Sequence, residues 1–422
     1  METYYTFGNL YKAYLDCKKR KSNTLNHIKF WENLEENLLD LEEKLQNRTY
    51  KPGRSIAFVV QKPKLREVFA ADFRDRVVHH LLCNYLSPIF ERTFIYDSWA
   101  CRKGKGTHGA MLRLREFARK LSRERDGEWH QRNIVRGLLP ENYRTNSSQP
   151  ARVGFEQYRS RSQATRTQQS FYLKMDIKSF FMSIDQRILY NLIAKRIKKQ
   201  EILWLVRVII FHDCARDIPP KIQSQPCLFD KLPVGKSLFK TKKGKGLPIG
   251  NLTSQFFANV YLGELDQFIK HKLKLQFTRH LRGGRRDSSE VKEASVNCIT
   301  SNYYLRYVDD FVLLGNSITE LKYYRDEITR FVADKLFLTV HPKKQIIKTI
   351  SSGIDFVGYI VRSDYVLIRR RVIGDFKRRL EFSVDKESAY NSFLAYAQWA
   401  NSHCLLTKLF YRFCPYVSAL SP

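Results

Sequence analysis

The chain contains 422 residues, of which 74 are lysine or arginine and 42 are aspartate or glutamate, so its formal net charge is +32. A hydrophobic fraction of 43% suits a globular protein with a sizeable core, and the basic excess points to a polyanion such as nucleic acid. No apolar run approaches the roughly 18 residues that a membrane-spanning helix needs, and the N-terminus lacks the pattern of a signal peptide. These features argue against a membrane partner and predict a cytoplasmic protein.

The 8 cysteines are scattered, and none belongs to a Cys-x-x-Cys pair. This spacing is typical of reduced cysteines in the cytosol and not of a disulfide framework. His212, Cys214 and Cys227 offer three zinc ligands, but no fourth is evident in the sequence. We therefore expect no zinc site.

Apolar residues recur at helical spacing over 24–46, which predicts one amphipathic helix with an acidic outer face. The residues of its apolar stripe are Ile28, Trp31, Leu34, Leu38, Leu41 and Leu45. The stretch 55–70 then predicts two short strands joined across Lys62–Leu65. A helix follows over 73–90, and we expect it to stop near Pro88, because the residue before a proline disfavours helical backbone.

Carboxylates mark two later stretches. In 170–185, Asp176 ends an apolar run. In 302–316, two β-prone runs flank Asp309 and Asp310, which predicts a hairpin with both aspartates at its tip. Adjacent carboxylates repel each other and are usually compensated by divalent cations, although aspartate also favours solvated turns on its own account. A carboxylate at one strand end and a pair at a hairpin tip can converge on two metal ions for phosphoryl transfer.

Three stretches are polar, with little apolar periodicity: 122–169, 219–245 and 278–302. We expect the first to be a long basic insertion that is partly disordered when free. Either an RNA-contacting loop or a solvated excursion fits its composition. The second stretch predicts a loop, and the third separates the two carboxylate-bearing stretches.

The two carboxylate stretches resemble motifs A and C of reverse transcriptases. This resemblance implies that Asp176 and Asp309 are the principal ligands of two Mg2+ ions, with Asp310 in support and the backbone carbonyl of Ile177 as a further ligand. Phe181 then matches the bulky residue that excludes a ribose 2′-hydroxyl and selects dNTPs. The alternative role for Phe181 is plain core packing.

The same resemblance assigns basic residues to the incoming triphosphate. Lys64 and Arg66 match the first finger motif of the family. The second motif is matched by a basic run with glycines, which allow close backbone approach to phosphate: Arg102, Lys103, Gly104, Lys105 and Gly106. Such a run is as common in ordinary surface loops as in phosphate sites.

The stretch 245–269 is similar to motif B of reverse transcriptases from diversity-generating retroelements. Most reverse transcriptases have glutamine where this chain has Ile249, before Gly250, and Gln255 lies in the following segment. The retroelement enzymes copy a template RNA with frequent errors at adenines. Loss of a hydrogen-bonding glutamine should weaken discrimination against mismatches, although Ile249 is alternatively a neutral packing variant.

Beyond the hairpin, Lys343 or Lys344 corresponds loosely to the motif D lysine of the family, and we favour Lys343. The stretch 353–359 matches the primer-grip hairpin, with the candidate residues Gly353, Phe356, Gly358 and Tyr359. From 372 onward the sequence resembles a short helical thumb. Its candidates for duplex contact, which equally suit helix packing, are Arg378, Arg379, Tyr396 and Trp399.

The resemblance implies an α+β right-hand polymerase fold with fingers, a palm of antiparallel sheet and helices, and a short helical thumb. It divides the chain into an N-terminal helical extension (1–53), fingers with the basic insertion (54–169), palm (170–365) and thumb (366–422). The implied function is RNA-directed DNA polymerase, with dNTPs, a template RNA, a primer-template duplex and a small basic oligomeric accessory protein as partners. Alternatives are a retron-like or anti-phage defence enzyme and a catalytically silent RNA-binding scaffold.

Overall fold

A computed structural model describes residues 3–19, 24–61, 65–135, 169–215, 237–273, 303–382 and 385–413. The helices are α1 Phe7–Lys18, α2 Leu25–Glu32, α3 Leu34–Gln46, α4 Phe73–Glu91, α5 Thr107–Val135, α6 Phe180–Ser183, α7 Gln186–Ala194, α8 Gln200–Ile210, α9 Leu252–Gln267, α10 Ile318–Leu336, α11 Arg370–Phe382, α12 Lys386–Ala397 and α13 His403–Phe413. The strands are β1 Ile56–Val60, β2 Arg66–Ala70, β3 Phe171–Asp176, β4 Tyr304–Tyr307, β5 Asp310–Gly315, β6 Ile346–Thr349, β7 Ile354–Phe356, β8 Tyr359–Val361 and β9 Val366–Ile368. The described chain therefore mixes helix and sheet, as expected.

The central sheet has the strand order β4-β5-β3-β6, and all of its neighbouring strands are antiparallel. Its side chains alternate between two faces, as the pleat requires. On one face, Met175 and Phe311 join the larger core, which also contains residues of α4, α9 and α10. On the other face, Leu305 and Val312 join a second core with α5 and the strands β7, β8 and β9. The sheet therefore has helices or strands packed on both faces.

A second antiparallel sheet, β7-β8-β9, leads into α11, α12 and α13. Phe376 on α11 stacks on Phe393 on α12, with ring centroids 3.9 Å apart. The expected boundary between residues 365 and 366 falls inside this sheet, between β8 and β9, whose residues Val361 and Val366 pair with each other. The four domain ranges remain predictions.

The N-terminal region differs from the prediction in two ways. The helix α1, which packs against α4, was not predicted. The single helix predicted over 24–46 is two helices, broken at Asn33. Ile28 and Trp31 are exposed, whereas Phe30 is buried against Phe73, because the break rotates the apolar stripe of the first helix.

Two further boundaries differ. The helix α4 runs through Pro88 to Glu91, because Leu86 and Phe90 are both buried and outweigh the lost backbone bond. The helix α5 continues to Val135, so the start of the predicted insertion is helical. Residues 136–168, 219–236 and 278–302 lie outside the described ranges, and no claim about them is tested.

The hairpin predicted over 55–70 is confirmed, with Ile56 paired to Ala70 and Val60 paired to Arg66. Within the described ranges, no helix combines the length and the apolar character needed to cross a membrane.

Candidate active site

The sheet register brings the three candidate aspartates together. Asp176 ends β3 directly opposite Asp310, the first residue of β5. Asp309 directly precedes Asp310, in the turn that joins β4 to β5. The turn consists of Val308 and Asp309 and not of the two aspartates, so the predicted hairpin is correct in kind and shifted by one residue.

Val308 adopts a left-handed conformation with φ of 56°. A β-branched residue is a genuine outlier there, since its Cβ crowds the following carbonyl. Such backbone strain costs about 1–3 kcal/mol and persists only where surrounding contacts impose it. The turn carrying Asp309 is therefore held in place by other parts of the fold.

Two lysines approach these carboxylates. The Lys344 Nζ donates to the Asp176 carboxylate, and the Lys174 Nζ lies 3.0 Å from Asp310 Oδ2. Lys343, the favoured motif D candidate, is instead exposed, and its backbone N–H donates to His341 Nδ1. The tight turn at 342–344 points successive side chains in different directions. Lys174 was missed by the sequence analysis, although it precedes Asp176 by two residues and so shares its face of the strand.

Among the described residues, no lysine forms an ion pair with the third carboxylate, Asp309. Its pKa is raised to about 7 by partial removal from water and by the charges of Asp176 and Asp310. The pKa of Asp310 is also raised, by burial first, with Lys174 opposing the shift. The site therefore holds more negative charge than its two lysines neutralise.

The donor atoms suit a divalent cation. Carboxylate oxygens are the preferred ligands of hard cations, and Asp310 Oδ1 is buried without a hydrogen-bond partner in the described structure. The neighbouring backbone hydrogen bonds are made by the Asp176 carbonyl and the Lys178 N–H, and no described residue donates to the Ile177 carbonyl. Among the described residues, however, no three His, Cys, Asp or Glu side chains are grouped closely enough to hold a metal ion. Of the three residues considered as zinc ligands, Cys227 lies outside the described residues, so the zinc expectation stays a prediction.

A buried arginine contacts the backbone of the turn. Arg306 on β4 is fully buried, and its five N–H donors match five contacts. Nε and Nη2 hold both carboxylate oxygens of Asp266 at 2.8 and 2.6 Å, and Nη2 also lies 3.0 Å from Ser98 Oγ. Nη1 donates to Asn259 Oδ1 at 3.2 Å and to the carbonyl oxygen of Val308 at 2.9 Å. The sequence analysis missed this network.

The family model for reverse transcriptase (RNA-dependent DNA polymerase) matches residues 60–361, which is most of the chain and includes all three aspartates. The chain belongs to the reverse transcriptase family. Members of this family use divalent metal ions, which agrees with the carboxylate chemistry of the site.

Curated relatives are distant. The chain is 20% identical to the putative COX1/OXI3 intron 2 protein of Saccharomyces cerevisiae, over 46% of this chain and 24% of that protein. It is 21% identical to protein YkfC of Escherichia coli, over 73% of this chain and 66% of that protein. An uncharacterized 91 kDa protein in the cob intron of Schizosaccharomyces pombe is 27% identical, over 45% of this chain and 25% of that protein. This reverse transcriptase thus spans about a quarter of the two intron proteins and about two thirds of YkfC.

Among solved structures, the chain is similar to an apo telomerase from Candida tropicalis truncated from its C-terminal domain, with a TM-score of 0.35 and 13% identity. That alignment covers 76% of this chain and 55% of the telomerase.

Backbone hydrogen bonds join the segments of this reverse transcriptase that carry the predicted nucleotide-selecting residues. Phe181 is half-buried and packs edge-on against Phe180, and its carbonyl accepts from Leu247 N–H at 2.8 Å. The carbonyl of Ile249 accepts from Phe69 N–H on β2 at the same distance. Motif B is therefore tied to both the motif A segment and the β1–β2 hairpin.

Gly250 has φ of 120°, and a Cβ at this position would meet Val68 Cγ1 at 2.8 Å and the carbonyl oxygen of Phe69 at 2.9 Å. Only glycine fits this close approach to β2. Gln255 is exposed in the first turn of α9, where it is available for contact.

The basic finger candidates divide into two groups. Arg66 and Lys103 are exposed, whereas Lys64 lies outside the described residues. Arg102 pairs with Glu91 and donates to two backbone carbonyls, and Lys105 lies over the rings of two aromatic residues. These contacts favour structural roles for Arg102 and Lys105, because their cationic groups already have partners in the chain.

The primer-grip candidates form the predicted hairpin but point inward. Phe356 and Tyr359 are fully buried, and their side chains lie in the second core. A role of this hairpin beside the primer stays a prediction. Gly353 and Gly358 have φ of 88° and 94°, and a Cβ on Gly358 would strike the hydroxyl of Tyr396.

An aromatic stack fixes this hairpin. Tyr359 stacks on Tyr396 of α12, with centroids 4.6 Å apart, and its hydroxyl lies 2.9 Å from His108 Nδ1 on α5. His108 stacks in turn on Trp399. Both aromatic thumb candidates therefore have ring partners within the chain, although Trp399 is still exposed. Arg378 and Arg379 are exposed as well.

The lysine loop, defined as Ser237–Gly246, lines a cavity of about 1120 Å³. Its basic residues are Lys240, Lys242, Lys243 and Lys245. The buried Glu67 carboxylate accepts from Ser237 Oγ and from the N–H of Leu238, and Gln186 binds the carbonyls of Gly244 and Gly246. Because both ends are anchored, this basic run is a fixed surface.

Proposed function

We propose that this chain is an RNA-directed DNA polymerase that copies a template RNA into cDNA from dNTPs, with two Mg2+ ions. The observation that carries the proposal is the register that sets Asp176 opposite Asp310 with Asp309 in the adjoining turn. The raised pKa of Asp309 supports it, because uncompensated negative charge at one point is what a pair of dications would neutralise.

In this proposal Asp176 and Asp309 hold the ions, with Asp310 and the carbonyl of Ile177 in support. Bound Mg2+ would supply charge stabilisation for the attacking and leaving oxygens of the phosphoryl transfer. Phe181 excludes a ribose 2′-hydroxyl by its bulk, and Ile249 and Gly250 line the place of the nascent pair. Lys344, engaged with Asp176, is the lysine positioned to be released toward the substrate when that carboxylate takes a cation.

We further propose that synthesis is error-prone at template adenines, in the manner of diversity-generating retroelements. Ile249 has no side-chain hydrogen-bonding group, and its backbone carbonyl is bound by Phe69 N–H. Its side chain can therefore contact the nascent base pair only through its shape. Discrimination by shape without hydrogen bonds is weak. The small basic accessory protein belongs to the same proposal.

The lysine loop supports RNA as the polyanion. Within the described chain, Lys242, Lys243 and Lys245 form no ion pair, so their charge is available to phosphates. For comparison, α10 carries two exposed lysines that are likewise free of ion pairs among the described residues, and we name them the control lysines: Lys322 and Lys335.

The proposal is tested by primer extension on a defined RNA template with Mg2+ and dNTPs, followed by sequencing of the products. Asp309→Asn is the matched inactive variant, because it removes the charge and keeps the shape. Extension by the wild-type chain but not by this variant would support the polymerase assignment. An Asp309→Asn chain that still extends at the wild-type rate would refute the metal assignment.

The error spectrum tests the subtype. We expect misincorporation concentrated at template adenines, and Ile249→Gln should reduce it because the added amide can orient the nascent pair. Faithful extension by the wild-type chain would instead favour a retron-like or defence enzyme.

A further inference from the structure

The turn that carries Asp309 depends on a contact from a residue that takes no part in the proposed metal site. Val308 holds a left-handed backbone that its β-branched side chain disfavours. Its carbonyl oxygen accepts from Arg306 Nη1 at 2.9 Å. Because Asp309 is the next residue, the orientation of the Val308 peptide sets where the Asp309 carboxylate points.

The guanidinium is itself fixed from three directions. Asp266 on α9 grips it with both carboxylate oxygens, Asn259 on the same helix accepts from Nη1, and Ser98 accepts from Nη2. Asp266 is further held by the Tyr304 hydroxyl at 2.7 Å. With every N–H donor used, the fork has one allowed orientation, and that orientation aims Nη1 at Val308.

The same network joins segments that are distant in sequence. The backbone N–H of Arg306 donates to the carbonyl of Asp97, and the N–H of Trp99 donates to the carbonyl of Arg306. Asp266 and Asn259 lie on the helix that follows Gly250, beside the place proposed for the nascent pair. A displacement of α9 is therefore transmitted through the guanidinium to the turn.

We propose that Arg306 is a positioning residue for the polymerase reaction: its guanidinium, set by the two-oxygen grip of Asp266, holds the Val308 carbonyl and so fixes the turn that presents Asp309. The proposal rests on the proposed function for the meaning of Asp309. The physical coupling between Arg306 and the turn does not depend on it.

The test uses Arg306→Lys, which keeps a positive charge beside Asp266 but cannot reach Asp266, Ser98 and Val308 together. Ser98→Ala is the matched control, because it removes one contact of the same guanidinium and leaves the bond to Val308. Hydrogen–deuterium exchange of the peptide spanning 304–313 is measured in the full-length chain without metal. We expect faster exchange of the turn amides in Arg306→Lys than in Ser98→Ala.

Extension rate at saturating dNTP is the second measurement. We expect Arg306→Lys to lose about 10²-fold, the typical cost of displacing a catalytic group by about 1 Å, with the affinity for primer-template unchanged. Adding Val308→Gly to Arg306→Lys should recover part of the rate, because glycine adopts the left-handed turn without help. A role in stability alone predicts no such recovery.

Asp266→Glu is the second variant, for use if Arg306→Lys does not fold. It keeps the ion pair and shifts the guanidinium by the length of a methylene, so the same two changes are expected. The proposal is overturned if the turn amides of Arg306→Lys exchange no faster than those of Ser98→Ala. It is also overturned if adding Val308→Gly to Arg306→Lys restores none of the extension rate. If the wild-type chain fails to extend RNA, the proposed function fails, and the exchange measurement still decides whether Arg306 holds the turn.

Discussion

Replacing Asp309 with asparagine should stabilise the metal-free protein while it abolishes synthesis. Burial and two neighbouring carboxylates raise the Asp309 pKa from 3.8 to about 7. Between these values the folded state binds more protons than the unfolded chain, so stability contributed by this group falls as pH rises from about 4 to 7. Above pH 7 the charged form opposes folding by at most about 4 kcal/mol.

Water and salt screen part of this repulsion. We therefore expect the free energy of unfolding of Asp309→Asn to exceed that of the wild type by about 1–2 kcal/mol at pH 8. For a chain of 422 residues, the corresponding rise in Tm is roughly 1–2 °C. The assay is thermal unfolding in a chelator at several pH values between 5 and 8, with wild type beside the variant. The advantage of the variant should grow with pH and level off above 7.

Adding Mg2+ gives an internal control, because a ligand that binds the folded state stabilises it. The wild-type Tm should rise with Mg2+ concentration, and the Tm of Asp309→Asn should respond less. A variant that is no more stable than wild type at any pH in chelator would refute the charge-repulsion argument.

The remaining predictions concern sugar selection, the small sheet and RNA binding. Phe181→Ala should admit ribonucleotides, measured as incorporation of NTPs relative to dNTPs; unchanged selectivity would place the sugar gate elsewhere. Gly358→Ala should destabilise the protein by about 2–4 kcal/mol, through its left-handed backbone and the clash with Tyr396. Gly374→Ala, on an open helix face, should instead raise the free energy of unfolding by about 1 kcal/mol. Equal urea midpoints for the two variants would contradict these two expectations. Replacing Lys242 and Lys243 with alanine should make the slope of log affinity against log salt concentration, measured for single-stranded RNA, shallower by about 1.4. An equal change on replacing the control lysines would show that the lysine loop is not a specific RNA-binding surface.

The sequence was a good guide to the strands that carry the aspartates. Alternating β-branched and aromatic residues on both sides of Asp309 leave little choice but a hairpin, and an apolar run that ends at Asp176 places that carboxylate at a strand end. The one-residue shift of the turn could not be predicted from this pattern, since it depends on Arg306 holding Val308 in a conformation that valine disfavours.

Contacts between distant segments account for the errors. A single arginine within a strand gives no sign that it is buried, because its partner Asp266 lies 40 positions earlier and Ser98 lies 208 positions earlier. Likewise, aromatics beside glycines in a hairpin suit either ligand contact or core packing. Only the second core around Tyr359 decides that it faces inward.

The lysine contacts at the carboxylates bear on the order in which this protein is assembled. Lys344 and Lys174 place two ammonium groups against two of the three aspartates, so the sheet can close around them before any cation arrives. A metal-dependent site built this way does not require metal for folding, unlike one whose ligands are all uncompensated. Under the proposed function, newly made chain can therefore reach its final shape first and bind its ions afterwards.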